Sequence, residues 1–163
     1  FEGRDIIKKY VGIVLGQPPL EGEIDAPIME HSIKKGQMIV HAKGKTALTS
    51  YKLIQQFKWY AFMEFQIHTG RTHQIRVHCK NIGNPLACDP LYGDGKSVLL
   101  SSFKKNYKLS KSEWEEKPVI SRLALHSYEL IFNDESGKRK DLIATVPKEF
   151  SALMNQLSKL STT

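Results

Sequence analysis

The clearest pattern lies at residues 60–68, YAFMEFQIH, where Met63, Phe65 and Ile67 alternate with Glu64, Gln66 and His68. A period of two describes a strand with one buried face. After Thr69-Gly70 the period lengthens: Ile75, Cys79 and Ile82 recur at helical spacing, and Gly83 follows where a helix ends. Residues 69–71 are therefore predicted to form a tight strand-to-helix turn from which Arg71 projects. A second amphipathic helix is expected after Pro147, with Phe150, Leu153, Leu157 and Leu160 on its buried stripe.

Other segments read as strands. Residues 8–15, KKYVGIVL, are rich in β-branched and aromatic residues and are closed by Gly16-Gln17-Pro18-Pro19. Residues 21–28 suit a loop or an edge strand, and residues 38–41 a short strand. Residues 46–57 and 121–132 alternate apolar and polar positions, the latter with Leu123, Leu125 and Ser127 on one side. NDESGKRK at residues 133–140 makes a polar hairpin turn, and residues 142–146 a closing strand. Residues 95–117, lysine-rich and with Trp114 among acidic residues, read as a surface insertion. The sum is α+β, with a mixed or mainly antiparallel sheet flanked by helices.

Composition narrows the class without naming a function. The chain has 163 residues, 40% hydrophobic and 25% charged, as expected of an ordinary globular domain. No apolar run is long enough for a membrane helix. The first residue is Phe1, inside what reads as the approach to a strand, so the chain is expected to be a piece of a longer protein. Cys79 and Cys88 lack metal-ligand spacing and suit a reduced, cytoplasmic setting. A net charge of +7 shifts the expectation toward a polyanionic partner.

Several chemistries fail on spacing. His68, His73 and His78 recur every five residues, which does not align three ligands on one helix face, and no metal site is expected. His126 and Ser127 are neighbours in a strand and point to opposite faces, so they form no hydrolytic pair. Phosphate-binding glycine motifs are absent. TGRTHQIRVH at residues 69–78 stands out for its density of hydrogen-bonding groups. Arg71 at the turn could pair with a carboxylate or phosphate, or merely tie two elements together.

TGRTHQIRVHCKNIGNPLACDPLYGD closely resembles the signature of the RluA-type pseudouridine synthases, which modify ribosomal and transfer RNA. KKYVGIVLG, GKTALTSYKLI and RLALHSYELIF extend the resemblance over nearly the whole chain. Cys88 stands where the family usually has glycine, and Asn84 where histidine is common. The resemblance implies a pseudouridine-synthase catalytic domain, entered after its start, with residues 1–163 as its C-terminal part. The family's His-Arg-Leu-Asp motif, which carries the catalytic aspartate, does not occur. Asp5, Asp25, Asp89, Asp94, Asp134 and Asp141 all lie in other contexts. The fragment is therefore expected to be inactive alone.

By resemblance, the activity is isomerisation of uridine to pseudouridine in RNA, with no cofactor. The resemblance makes Arg71 the partner of the catalytic aspartate and Tyr10 the active-site tyrosine, offering a stacking face and a hydroxyl. It makes Ile67 and Leu125 the apolar pocket floor. Thr69, Gly70, Thr72, His73, Gln74 and Arg76 complete the signature, with Gln74 and Arg76 expected to orient Arg71. Lys104, Lys105, Lys108 and Lys111 are candidates for RNA contact. The competing expectation is an RNA-binding module that keeps the scaffold without catalysis.

Overall fold

A computed structural model describes residues 6–111 and 114–160. Phe1, Asp5, and Ser112 and Glu113 of the expected insertion lie outside the described residues. The chain order is β1 (Ile7–Leu15), β2 (Glu21–Asp25), β3 (Ile28–Glu30), β4 (Met38–Val40), β5 (Leu48–Gln56), β6 (Tyr60–Ile67), α1 (Gln74–Asn81), β7 (Leu125–Asn133), β8 (Arg139–Ile143) and α2 (Lys148–Leu160). Six strands form one sheet in the order β2-β5-β6-β1-β7-β8, and β3 and β4 form a separate two-stranded sheet. Every strand pair in these sheets is antiparallel. The α+β expectation holds, with an antiparallel sheet.

Register decides which side chains share a face. Tyr10 opposes Phe65 of β6 and Ser127 of β7, and Phe65 opposes Tyr51 of β5. Directly opposed residues point the same way, so one face carries Tyr10, Tyr51, Met63, Phe65 and Ile67. This face packs with Ile75 and Cys79 of α1 and with Leu86. The opposite face carries Val11, Ile13 and Phe62 and is covered by Phe150, Leu153 and Leu157 of α2. At its start β6 is thus buried on both sides, Phe62 included, and only farther along does it become one-sided.

Two strand boundaries move from their expected places. The last strand begins at Arg139 and ends at Ile143, because its pairing starts at once beyond the turn, with Asn133 opposite Arg139. The preceding strand begins at Leu125 and not at residue 121; before it, Ala124 donates its N–H to Ala87 and accepts from Ile13. Residues 95–117 are anchored from within: Val98 bonds to Ile120, and Val98 and Phe103 are buried in the α2-side core. Trp114 is 98% exposed.

Glycine matters most at Gly12, in the middle of β1. A Cβ there would lie 2.8 Å from Leu86 Cδ2 and 3.0 Å from the Ala124 carbonyl oxygen. The bare backbone lets the segment after α1 close onto the sheet, where Leu86 bridges to Val14.

The α2 stripe should carry much of the stability of the far face. Phe150 is fully buried against β1 and β6 residues. Phe150→Ala is expected to lower the unfolding free energy by about 3–5 kcal/mol, measured by denaturant titration. A loss under about 1 kcal/mol would show that α2 is not integral to the core.

Candidate functional site

The strand-to-helix turn is built around one buried carboxamide. Gln74, the first residue of α1, is 4% exposed and uses all four of its hydrogen-bonding capacities. Its Oε1 accepts from Thr69 Oγ1 at 2.8 Å and from the Arg71 N–H at 3.0 Å. Its Nε2 donates to the Leu48 carbonyl at 2.9 Å and to Thr49 Oγ1 at 3.0 Å. Thr69 Oγ1 in turn accepts from the Leu48 N–H. The turn is thereby locked to the start of β5.

The chain of bonds continues inward. Thr49 and His78 are both fully buried, with Thr49 Oγ1 2.8 Å from His78 Nδ1 and His78 Nε2 2.9 Å from the Ala26 carbonyl. A carbonyl can only accept, so Nε2 carries the proton, and Thr49 donates to Nδ1 while accepting from Gln74. Burial favours the neutral imidazole, in which Nδ1 accepts from the Thr49 hydroxyl. It lowers the His78 pKa, only partly countered by the hydrogen bond to Ala26 and by Asp25.

Arg71 leaves this fixed backbone half-buried. Its Nε donates to the Thr46 carbonyl at 2.8 Å, and no described residue bonds its two terminal Nη atoms. It lines a cavity of about 420 Å³ together with Gly70, Thr72, Lys43, Gly44 and Lys45. Tyr10, Ile67 and Leu125 gather elsewhere, half-buried against the core cluster on the α1 face of the sheet. Arg71 stands four residues past Ile67, at that same end of β6. The fold puts Tyr10, Ile67 and Leu125 on the same face of the sheet, and none of the three lines the cavity beside Arg71.

Arg76 does something other than orient Arg71. Its guanidinium forms a two-pronged pair with Asp89, Nε to Oδ2 at 2.9 Å and Nη2 to Oδ1 at 2.8 Å, and lies 5.0 Å from the Tyr92 ring centre. The reason is helical geometry: two residues on from Gln74, it leaves α1 on a different side. Asp89 Oδ1 also accepts from the N–H groups of Leu91 and Tyr92. Burial pushes the Asp89 pKa up, but Arg76 and the two backbone donors outweigh it and hold the carboxyl below its ordinary range. Asp89 is a structural anion.

His73 has φ 56° and ψ 23°, a left-handed conformation just before the helix. Its Nδ1 lies 2.7 Å from the Tyr92 hydroxyl, which also accepts from the Met38 N–H at 2.8 Å. Tyr92 thus ties α1 to the β3–β4 sheet. Burial and the nearby Arg76 lower the His73 pKa, with Asp89 opposing. Among the described residues, no group of three or more His, Cys, Asp or Glu could hold a metal.

The two departures from the family pattern have visible consequences. Cys88 adopts φ 64°, a left-handed backbone that favours glycine, and its buried Sγ donates to the Ile120 carbonyl. Asn84 reaches from the end of α1 to the Leu15 carbonyl at 2.9 Å.

Lys104, Lys105, Lys108 and Lys111 are all exposed but lie away from Arg71. Their segment is rooted by Phe103, whose ring is 6.2 Å from that of Trp59, next to the first residue of β6. Arg71 follows the last, so eight strand residues, about 25 Å, separate the two ends. Sequence reasoning passes over Thr49, Tyr92, Lys43 and Lys45, and it reads His78 as no metal ligand without finding its partners. The first hint of Thr49 was its place in GKTALTSYKLI; a lone polar residue facing a buried side was the signal to pursue.

The Arg76–Asp89 pair gives a pH-dependent expectation. A carboxyl whose folded pKa lies below its unfolded value of about 3.9 contributes stability that is complete above that value. The contribution is lost as pH falls through the folded pKa. Asp89→Asn should therefore cost about 3 kcal/mol at neutral pH, since it leaves the partly buried Arg76 guanidinium without its anion. The deficit should shrink in acid below about pH 4, checked by denaturant unfolding across pH. A deficit constant down to pH 2 would contradict the assignment.

The family model described as RNA pseudouridylate synthase matches residues 1–81. Ribosomal large subunit pseudouridine synthase D of Buchnera aphidicola subsp. Schizaphis graminum is 36% identical over 157 residues, covering 96% of this chain and 48% of that protein. The Yersinia pestis protein of the same name is 40% identical over 157 residues, covering 96% of this chain and 46% of its own. The solved structure of Human RNA Pseudouridylate Synthase Domain Containing 4 superposes with a TM-score of 0.69 at 25% identity, covering 95% of this chain and 63% of that one. The chain spans about half the length of the curated relatives it matches. With matching sequence over nearly its whole length and a matching fold, this chain belongs to the RNA pseudouridylate synthase family.

Proposed function

We propose that the protein isomerises uridine to pseudouridine in ribosomal or transfer RNA, and that this chain is the C-terminal part of its catalytic domain. The observation that carries the reading is Arg71: its backbone is held by Gln74, its Nε by Thr46, and its Nη atoms are left without a described partner beside a cavity. A guanidinium so held can take an anion, and Glu30, the one acid in the cavity lining, forms no ion pair with it among the described residues. The aspartate of the family's upstream motif fits that place.

The chemistry follows from what an isomerase must do. The bond from the sugar C1′ to uracil N1 breaks, the base turns, and C1′ bonds to C5. The C5 proton leaves and N1 takes a proton, so no electrons are gained or lost and no cofactor is required. The target atoms are buried in a stacked helix, so the nucleotide must be flipped out. Tyr10 offers a ring face for the uracil and a hydroxyl for the proton at C5. Ile67 and Leu125 give the freed base an apolar surface to turn on and exclude water. Arg71 holds the aspartate ionised, because an opposite charge at contact distance lowers a carboxyl pKa. Thr69, Gly70, Thr72, His73, Gln74 and Arg76 shape the turn and its surroundings.

Lys104, Lys105, Lys108 and Lys111 are proposed for outlying RNA phosphates, away from the reacting uridine. The name shared by the curated relatives, ribosomal large subunit pseudouridine synthase D, favours ribosomal RNA. A cytoplasmic setting is proposed from the two buried free thiols; burial pushes the pKa of Cys79 upward and leaves that thiol inert. No described helix is long and apolar enough to cross a membrane.

Tritium release from C5-tritiated uridine in ribosomal and transfer RNA tests the reading in the full-length protein. Wild type should release tritium, and Arg71→Ala should reduce the rate by at least about 10²-fold with the fold retained. Near-normal release by Arg71→Ala would remove the role given to Arg71. RNA binding without release by wild type would point to a silent binding module. Tyr10→Phe should bind RNA and lose release; full activity there would leave a role for the ring alone.

A further inference from the structure

The cavity beside Arg71 holds more positive charge than the Arg71–aspartate pair needs. Its wall includes Lys43 and Lys45, both exposed, and neither forms an ion pair among the described residues. The one acid in the lining, Glu30, turns its Oε1 to the Gly36 N–H at 3.0 Å. With Arg71 given to the aspartate, Lys43 and Lys45 remain as two cations that form no ion pair with Glu30 among the described residues, and such a pair favours an anion entering.

The lysine loop is built, not loose. Lys45 and Ile28 exchange both backbone hydrogen bonds, at 2.8 and 2.9 Å, and Gly44 donates to the His41 carbonyl at 2.8 Å. Lys43 donates its backbone N–H to His41 Nδ1 at 3.0 Å. Gly44 is pressed so close to β3 that a Cβ would lie 2.6 to 2.8 Å from Ile28 backbone atoms. Any larger residue would push the loop outward. The next residue, Thr46, accepts the Arg71 Nε–H, so the backbone carrying both lysines also fixes the arginine. The loop fixes the backbone that carries two lysines in the lining of the cavity beside Arg71.

Resting on the reading that the protein acts on uridine in RNA, we propose that Lys43 and Lys45 bind a backbone phosphate next to the flipped nucleotide, in the cavity they share with Arg71. Flipping a base swings its flanking phosphates outward, and a nearby pair of cations would hold that distorted backbone. The terminal amines act as point charges that tolerate phosphates of any sequence.

The test is RNA affinity of the full-length protein against salt concentration. Lys43→Ala combined with Lys45→Ala should weaken binding about tenfold and flatten the log–log salt slope by about 0.7–0.9 for one phosphate lost. Lys43→Arg with Lys45→Arg keeps the charge and should recover the slope. Gly44→Val keeps both lysines but displaces their backbone, and should weaken binding in the same direction. The loss should appear mainly in KM and less in the rate at saturating RNA. An unchanged slope in the double alanine variant would overturn the proposal, whether or not turnover falls. If wild type releases tritium but the slope does not move, the phosphate site fails alone. If the slope moves but wild type releases none, the isomerase reading fails and the phosphate site stands.

Discussion

The carboxamide of Gln74 is the interaction on which the rest of the site depends. A strand ending and a helix beginning within seven residues leave several backbone groups without partners. Here one side chain closes the account with Thr69, Arg71, Leu48 and Thr49. Its oxygen and nitrogen could not be exchanged, because the Arg71 N–H only donates and the Leu48 carbonyl only accepts. The same logic fixes Thr49 and the His78 tautomer as far as Ala26. Among the described residues no buried side-chain nitrogen or oxygen lacks a partner. A fully satisfied chain of this kind rigidifies, whereas breaking one link leaves a buried polar group unpaired.

The first turns of α1 therefore send their polar residues in different directions for different tasks. Gln74 and His78 turn inward to the sheet, Arg76 crosses to Asp89, and His73 meets the Tyr92 hydroxyl that carries the β3–β4 sheet. Arg71, just upstream, is left with its charged end free. Of these residues Gln74 is the one that bonds Arg71, through the Arg71 backbone N–H. The guanidinium's remaining charge neighbours, Lys43 and Lys45, arrive through Thr46, which bonds Arg71 directly.

What could be read from the sequence was the part written in periodicity. The alternation in β6 and the stripes of α1 and α2 were legible because burial of one face repeats along each element. The last strand was displaced because its limits come from pairing with β7, a non-local constraint that no local pattern records. Thr49 is hidden for a related reason: it is a polar letter in a buried position, and only His78, 29 residues away, explains it. Arg76 looked like support for Arg71 because it is close in sequence, but helix geometry sends it to Asp89. The resemblance to a known family carried Tyr10, Ile67 and Leu125, which a strand pattern alone would have left as core.

Removing the Thr49 hydroxyl without changing the shape of the side chain tests the central claim, that a buried chain of hydrogen bonds holds Arg71 in its working position. The measurement is the single-turnover rate of uridine conversion by the full-length protein at saturating RNA, for Thr49→Val and Thr49→Ser. The account expects Thr49→Val to react at least about tenfold slower, the equivalent of one buried hydrogen bond, with RNA affinity retained. Thr49→Ser, which keeps the hydroxyl, should react close to the wild-type rate. A Thr49→Val protein that is folded and reacts as fast as wild type would contradict the claim.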